Sequence, residues 1–187
     1  MDFVEGLIGR LSCPILSEPA PTEAQLDLIF QAALRAPDHA RLRPWRFLTI
    51  SGDARKALGE VFAAAALKDQ PDLAPEAIDR FRGLPLRAPM LVALVCNVTE
   101  HPKVPLLEQQ LSVAAAAQNI LNCAYAQGVG AMWRTGTVSY HPATARGLGL
   151  SDDEQLLGFI YLGTPSRAQK QLPALRTGDY VRSWAGS

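Results

Sequence analysis

Apolar residues near the start of the chain recur at the spacing of an amphipathic helix. Val4, Leu7 and Ile8 lie three and four positions apart, which predicts a short helix that ends near Arg10. A capping-box pattern at residues 22–25 then marks the start of a second helix. The same periodicity and the flanking prolines and glycines predict helices over residues 23–35, 54–67, 75–82, 103–127 and 139–148.

Shorter apolar runs have the length of β-strands, at residues 46–50, 90–96, 129–133 and 156–162. The run at 90–96 is apolar almost throughout, which is typical of a strand covered on both faces, so we expect it at the centre of a sheet. Helices and strands alternate irregularly, and no Gly-x-Gly-x-x-Gly motif follows the first strand. This order predicts an α+β fold rather than a Rossmann unit.

The helix over residues 103–127 is apolar around most of its circumference. Such a helix must be buried on more than one side, and a chain of 187 residues has only a small core, so we expect this helix at an interface between subunits. Gly128 follows it and is expected to form a left-handed C-cap. The tail over 164–187 shows little periodicity and is available to wrap a partner subunit.

The composition favours one domain, residues 1–187, of a cytoplasmic protein that does not span a membrane. Hydrophobic residues make up 48% of the chain and charged residues 19%, which excludes disorder, and no apolar run reaches the roughly 18 to 20 residues of a membrane span. Lysine and arginine balance aspartate and glutamate at 18 each, so no overall field attracts nucleic acid. The three cysteines and three histidines lack metal-ligand spacing, and we expect no metal.

Two clusters rich in arginine follow the first two predicted helices. Arg10 and Ser12 offer a guanidinium and a hydroxyl at a helix-to-loop junction, groups that suit phosphate oxygens. Residues 35–45 have the sequence Arg-Ala-Pro-Asp-His-Ala-Arg-Leu-Arg-Pro-Trp, a basic loop stiffened by two prolines. Binding residues are often displayed on such loops, so we treat both clusters as candidate binding segments.

Two further candidate clusters accompany predicted strands. The small residues of segment 128–136, Gly-Val-Gly-Ala-Met-Trp-Arg-Thr-Gly, let a flat ligand approach the backbone, whose N–H groups can reach a ring nitrogen. The alternative for this segment is a sharp turn around a buried tryptophan. Residues 163–167, Gly-Thr-Pro-Ser-Arg, with Lys170 after them, place cations past a strand end, where they meet either a phosphate or solvent.

Taken in order, the four clusters resemble the motifs of the nitroreductase family, and most closely those of its short bacterial branch. The family's opening Arg-Arg-Ser appears as Arg10-Leu11-Ser12, and its Ala-Pro-Ser-x-x-Asn-x-Gln-Pro-Trp appears at 36–45. The branch's Arg-Ala-Pro-Asp-His is intact at 35–39. Segments 103–109, 133–136 and 162–165 are also similar to this branch. Each motif is weak alone, but the ordered set covers nearly the whole chain and is specific.

The resemblance implies an α+β fold with a central, mainly antiparallel sheet flanked by helices, in an intertwined homodimer. It also implies two FMN sites at the subunit interface, with NAD(P)H as the reducing co-substrate. The residues carried over by position are Arg10, Leu11 and Ser12 at the phosphate and ribityl end, Arg35, His39 and Arg41 from the other subunit, Ala131, Met132 and Trp133 at the N5 side of the ring, and Arg167 or Lys170 at the phosphate.

The implied activity is a ping-pong hydride transfer from NAD(P)H to a nitroaromatic, a quinone or a similar flat acceptor. Since the cofactor carries this chemistry, we expect no indispensable catalytic side chain. The sequence departs from the family at Leu11, where a second arginine is usual, and at Arg41 and Arg43, where asparagine and glutamine are usual. We expect these two arginines to make the pyrimidine side of the flavin more basic and so to stabilise an anionic reduced flavin.

Three alternatives stay open on the sequence. One is a flavin enzyme of the same fold with a different acceptor, such as a dehalogenase. A second is a flavin-binding or storage module without turnover, and a third is a purely structural helical dimer.

Overall fold

The computed structural model describes residues 2–167 and 172–186, and its helices pack on both faces of one sheet. The helices are α1 (Phe3–Gly9), α2 (Glu23–Ala33), α3 (Ala54–Asp69), α4 (Pro75–Gly83), α5 (Leu106–Ala126), α6 (Thr137–Tyr140) and α7 (Pro142–Gly147). Short 3-10 helices lie at His39–Arg41, Leu84–Arg87 and Thr177–Asp179. None of the helices in the described ranges is long and apolar enough to cross a membrane.

The sheet is antiparallel at every pairing. Its strands are β1 (Leu16–Ser17), β2 (Trp45–Ser51), β3 (Met90–Asn97), β4 (Gly130–Arg134) and β5 (Glu154–Pro165). β3 lies between β2 and β5, and β5 pairs in addition with β4 and with β1. The predicted α+β fold with a central antiparallel sheet and flanking helices is therefore confirmed.

β3 explains why the run at 90–96 is apolar throughout. Side chains alternate between the faces of a strand, and here both faces are covered. Val92, Leu94 and Cys96 join the core beneath α2 and α5, whereas the alternate residues join a second core beneath α3. All residues from 91 to 96 are fully buried. The expected central position of this strand is confirmed.

Local signals in the sequence also set several helix ends. The Thr22 side chain accepts from the Gln25 N–H at 3.2 Å, and the Gln25 side chain accepts from the Thr22 N–H at 2.9 Å, which completes the predicted capping box of α2. At the other end, α2 stops at Ala33, two residues before the predicted end. Gly128 follows α5 with a φ of 74°, as its predicted left-handed cap requires.

Two sequence predictions for the last third of the chain are wrong. The single helix predicted over 139–148 is two helices, because His141 precedes a proline and adopts extended geometry with ψ of 133°. The strand predicted over 156–162 continues to Pro165, because residues 164 and 165 pair with β1. Gly163 stays inside the strand, where a Cβ would lie 2.6 Å from Pro89 Cδ.

The contact between α3 and α4 depends on a missing side chain. Gly59 is buried on α3, and a Cβ there would overlap the main-chain oxygen of Arg82 on α4. Gly59→Ala should therefore lower the free energy of unfolding by about 1 to 3 kcal/mol, the usual cost of overpacking. Urea unfolding followed by circular dichroism measures it. The control is Gly83→Ala, which has open space and an ordinary φ and should change stability little; equal losses in both variants would contradict the close contact.

An ion pair ties β2 to β5 across β3. Arg46 donates to both carboxylate oxygens of Glu154, at 2.5 and 2.6 Å, and only 10% of the Glu154 side chain is exposed. The hydrogen bond from Arg46 holds the pKa of Glu154 below its ordinary value, and it also raises the pKa of Arg46. The pair therefore stabilises the fold when the carboxyl group is ionised.

This pair should make stability depend on pH in the acid range. A carboxyl group whose pKa is lowered by folding stabilises the protein above its ordinary pKa, and that contribution is lost as the pH falls through the lowered value. Glu154→Gln should cost about 1 kcal/mol at pH 7, a small figure because 40% of the Arg46 side chain faces solvent. The difference should shrink towards pH 3. Glu100→Gln, at an exposed loop position, is the control; a Glu154→Gln loss that is equal at both pH values would refute the prediction.

Candidate functional site

The loop after α1 lies against the edge of β4. Asp2 caps the start of α1 by accepting from the Val4 N–H at 2.9 Å, and the helix ends at Gly9, so Arg10 is the first residue of the loop. The main-chain N–H of Cys13 then donates to the carbonyl oxygen of Ala131 at 2.9 Å. This bond brings the first predicted cluster, residues 10–12, beside the third.

Two further contacts hold this loop, one to the third cluster and one to the fourth. Arg134 donates from Nη2 to the carbonyl oxygen of Pro14 at 2.9 Å. The N–H of Ser166, next to Arg167, donates to the carbonyl oxygen of Ile15 at 3.3 Å. Three of the four sequence clusters therefore converge where the loop over 10–15 passes β4 and the end of β5.

The end of β4 fits closely because Gly158 lies opposite it on β5. Gly158 has a φ of 119°, and a Cβ there would lie 2.7 Å from the Arg134 oxygen and 2.8 Å from Trp133 Nε1. The Trp133 indole is half-buried and donates to the carbonyl oxygen of Leu157 at 3.2 Å. Trp133 thus packs half-buried against β5 inside a regular strand, and the sharp turn around a buried tryptophan that the sequence left open is not found.

Where these segments meet, some of the polar side chains have no partners within the described residues. Among residues 2–167 and 172–186, no hydrogen bond or ion pair engages the side chains of Arg10, Ser12 or Arg167. Ser12 and Arg167 are exposed, and Arg10 and Leu11 are half-buried. Lys170, the other cation predicted for this place, lies outside the described residues. The available groups are two guanidiniums and a hydroxyl, which suit an oxyanion.

The second cluster lies elsewhere, between α2 and the start of β2. His39 Nδ1 is 2.6 Å from Glu108 Oε2 at the start of α5, and both side chains are about half exposed. Asp38 accepts from the N–H groups of Leu42 and Arg43 at 3.1 and 2.7 Å. In the loop that these bonds close, Ala40, Arg41 and Arg43 have positive φ values of 51° to 61°. Such geometry is uncommon outside glycine, so this loop is held in a specific and strained shape.

The two parts of the predicted site are far apart within one chain. Gly9, next to Arg10, approaches the hydroxyl of Tyr125 near the end of α5, whereas His39 contacts Glu108 near its start. Seventeen residues separate Tyr125 from Glu108, which is about 26 Å along a helix. Arg35 is exposed in a groove between α1 and α5, and Arg41 is exposed in the strained loop. One chain therefore does not bring His39 to the loop after α1, whereas Arg35 lies in the groove beside α1.

A cavity beside β4 contains two arginines to which the sequence prediction assigned no role. It has a volume of about 320 Å³ and is lined by Met132 to Thr135 together with residues of β5, α3, α6 and the turn before β3. Arg134 lies over the Tyr161 ring, 5.2 Å from its centroid, and Arg87 also lines the cavity. We call this space the Arg87–Arg134 cavity. Arg134 belongs to a quoted motif, but only the fold reveals that Arg87 is its neighbour.

Burial dominates the electrostatics of this cavity. It lowers the pKa of Arg134, and the nearby Arg87 lowers it further, whereas Tyr161 opposes the shift. Burial also raises the pKa of Tyr161 to about 12, so its hydroxyl stays protonated at neutral pH. Within the described ranges, no group of three or more His, Cys, Asp or Glu side chains is arranged to hold a metal ion.

The fold and the convergence of loop and strand edge define an α+β protein in which two guanidiniums and a hydroxyl lie beside an antiparallel sheet. The sequence model of the nitroreductase family matches residues 8–164. Over 165 residues the chain is 39% identical to the Escherichia coli K12 protein named "Putative NAD(P)H nitroreductase YdjA", an alignment that covers 88% of this chain and 89% of that protein. The chain belongs to the nitroreductase family and is an oxidoreductase of that family.

Solved structures with low sequence identity share the fold. A nitroreductase-like family protein from Bacillus cereus superposes with a TM-score of 0.80 at 20% identity, over 100% of this chain and 97% of that one. The FMN and NADPH-dependent nitroreductase NfnB from Sphigopyxis sp. strain HMH superposes with a TM-score of 0.78 at 19% identity, over the full length of both chains. At these identities the likeness concerns the fold.

Proposed function

We propose that this chain, as one domain over residues 1–187, is an FMN-dependent oxidoreductase that uses NAD(P)H to reduce nitroaromatic, quinone or similar flat acceptors. The Cys13–Ala131 hydrogen bond is the observation that carries the proposal. It brings a loop with an unpaired cation and hydroxyl against the open edge of a strand. A phosphorylated flat cofactor needs an oxyanion site and a strand edge side by side.

The phosphate would be held by Arg10, the Ser12 hydroxyl and Arg167, with the main chain at Leu11 completing the cradle. Each of these guanidiniums lacks a carboxylate partner within the described ranges, so neither has to break an ion pair to bind an anion. Charge-assisted bonds from arginine to phosphate are the strong kind and can be bidentate. Because Leu11 stands where the family has a second arginine, this cradle has one positive charge fewer than is usual in the family.

The isoalloxazine ring would lie along the outer edge of β4 at Ala131, Met132 and Trp133. Main-chain groups of alternate strand residues point to the same side. Because the Ala131 carbonyl points outwards to Cys13, the Trp133 N–H faces the same open edge, while Met132 faces Tyr161 on β5. This N–H is the donor that we assign to ring atom N5.

The active form would be an intertwined homodimer in which Arg35, His39 and Arg41 come from the partner subunit. The separation of about 26 Å along α5 supports a second chain as the source of His39. Arg35 and Arg41 are assigned to the partner by the resemblance to the family. Large apolar side chains are exposed on α1, on α5 and along the tail, among them Phe3, Ile8, Leu107, Leu111, Tyr180 and Trp184, at 57% to 90%. A chain of this size rarely leaves such surface in water, so a partner copy fits it.

Bound FMN would supply the chemistry by accepting a hydride from NAD(P)H and then passing electrons to the acceptor bound at the same face. The protein would bind the phosphate, orient the ring and exclude competing reactions. No side chain is assigned a proton transfer. The basic residues Arg41 and Arg43 would add positive charge on the pyrimidine side, which favours an anionic reduced ring.

The absorption spectrum of the purified protein tests this function. We expect a yellow preparation whose flavin bands are bleached anaerobically by NADH or NADPH and restored by a nitroaromatic or a quinone. A colourless protein that takes up no added FMN would leave only a structural dimer. A yellow protein that neither nucleotide bleaches would be a flavin storage module. Bleaching that only halogenated acceptors reverse would indicate a dehalogenase of the same fold.

A mixing experiment tests whether each site is built from two chains. Arg10→Ala should weaken FMN binding by about 1.5 to 3 kcal/mol, the cost of a charge-assisted hydrogen bond, and His39→Ala should weaken it as well. When the two variants are unfolded together and refolded, the mixed dimer carries one site that retains both residues. We therefore expect half of the sites of each mixed dimer to bind FMN at the original affinity, as measured by fluorescence titration.

The control for mixing is the double variant that carries both changes in one chain, refolded with unaltered protein. Its mixed dimers contain two half-impaired sites and no intact one. Failure of the mixed single variants to recover any tight site would show that Arg10 and His39 act within one chain or not at all. Sedimentation equilibrium of each sample establishes that dimers are present.

A further inference from the structure

The helix α5 begins without a capping side chain. Pro105 occupies the N-cap position, and its ring carries no acceptor for the first N–H groups of the helix. The N–H groups of a first turn have no partners inside the helix, so an end without a cap unwinds more readily. The start of α5 therefore depends on other contacts to keep its shape.

The side chain of Gln109 supplies such contacts. Only 2% of this residue is exposed. Its Nε2 donates to the carbonyl oxygens of Thr99 at 2.8 Å and of Val104 at 3.3 Å, and its Oε1 accepts from the Thr99 N–H at 2.9 Å. Both N–H groups and the oxygen are engaged, so the amide has one orientation. One buried side chain thus ties both ends of the loop over residues 98–105 to the first turn of α5.

The two neighbours of Gln109 reach other parts of the fold from the same turn. Glu108 Oε2 lies 2.6 Å from His39 Nδ1, and Gln110 Nε2 donates to Gln155 Oε1 on β5 at 2.7 Å. Successive side chains point about 100° apart around a helix, so the direction of Gln109 sets that of Glu108. The contact between Glu108 and His39 is about half exposed and contributes little by itself. The buried bonds of Gln109 are therefore the firmer anchor.

We propose that Gln109 is a positioning residue for the half of the flavin site that contains His39. It fixes the first turn of α5, that turn aims Glu108 at His39, and Glu108 steadies the strained loop over 38–43. Gln109 itself lies outside the residues assigned to the cofactor and lines a different cavity, beside the loop over 98–105. Its part in flavin binding rests on the proposed function. The coupling between Gln109 and the strained loop does not.

Hydrogen exchange of the purified protein, followed by mass spectrometry, tests the coupling. Gln109→Met keeps the length of the side chain and removes its three hydrogen bonds. We expect main-chain exchange to become about tenfold faster over 98–109 and also over 38–43, the factor that corresponds to one lost hydrogen bond. Gln118→Met is the matched control on the same helix. It loses only an exposed bond to Asn122 and should leave exchange in both segments unchanged.

A second variant tests the order in which these residues act. Glu108→Ala should speed exchange over 38–43 but leave 98–105 protected, because Gln109 still holds that loop. Faster exchange in Gln109→Met that is confined to 98–109 would overturn the inference, since Gln109 would then hold only its own loop. If Gln109→Met does not fold, Gln109→Asn replaces it. This variant keeps an amide but is one methylene too short to bond both ends of the loop, so the same two segments should respond less strongly.

A double-mutant cycle tests whether Gln109 affects the cofactor through His39. Gln109→Met should weaken FMN binding up to about tenfold in fluorescence titration. In a His39→Ala background the same change should weaken it no further, because residues that act through one another are not additive. Losses that add would indicate a general loosening of the fold and would overturn the positioning role. Gln118→Met should bind FMN like the original protein in both backgrounds.

The outcomes distinguish this inference from the function on which it rests. A yellow protein, bleached by NADH or NADPH, in which Gln109→Met leaves exchange over 38–43 and FMN affinity unchanged would overturn the inference and retain the proposed function. A protein that takes up no FMN, but in which Gln109→Met speeds exchange in both segments, would contradict the proposed function and keep the coupling.

Discussion

The pairing of β3 with β5 is the constraint on which the rest of the structure depends. Both strands are buried on both faces, so their main-chain N–H and carbonyl groups can be satisfied only within the sheet. β5 also pairs with β1 and β4, and it thereby fixes the two segments next to the candidate site. Gly158 and Gly163 allow this crowding, since a side chain at either would overlap a neighbouring segment.

The chain separates its paired charges from its unpaired ones. Glu154 pairs with Arg46, and Glu108 contacts His39, away from the loop after α1, whereas no carboxylate in the described ranges approaches Arg10 or Arg134. An overall charge of zero therefore conceals a local positive region. Local placement, rather than net charge, is what selects an anionic ligand. This agrees with membership of the nitroreductase family, and it explains why composition alone excluded nucleic acid without identifying a ligand.

Two features of the isolated chain point to a second copy. The strained loop at His39 and the loop after α1 lie at opposite ends of α5, and apolar side chains of α1, α5 and the tail face water. The proposed homodimer would account for both features through one shared interface. The long apolar helix was the sequence feature from which we predicted that interface. One face of α5 packs on the sheet. Of its apolar side chains, those of another face, including Leu107 and Leu111, remain exposed.

Local sequence signals were sufficient for the fold class, the capping box at Thr22, the glycine cap at Gly128 and the central strand, because each depends on residues a few positions apart. The motifs likewise indicated the family and the clusters to examine. Only the tertiary structure placed residues 10–12 beside Ala131 and brought Arg87 to Arg134, since hydrogen bonds and charges between segments far apart in sequence leave no periodic pattern along it. The extension of β5 by β1 was missed for the same reason, since it depends on pairing between distant segments. The break at His141 has a local cause, because a residue before proline disfavours helical geometry, but the periodicity of the segment outweighed it in the prediction.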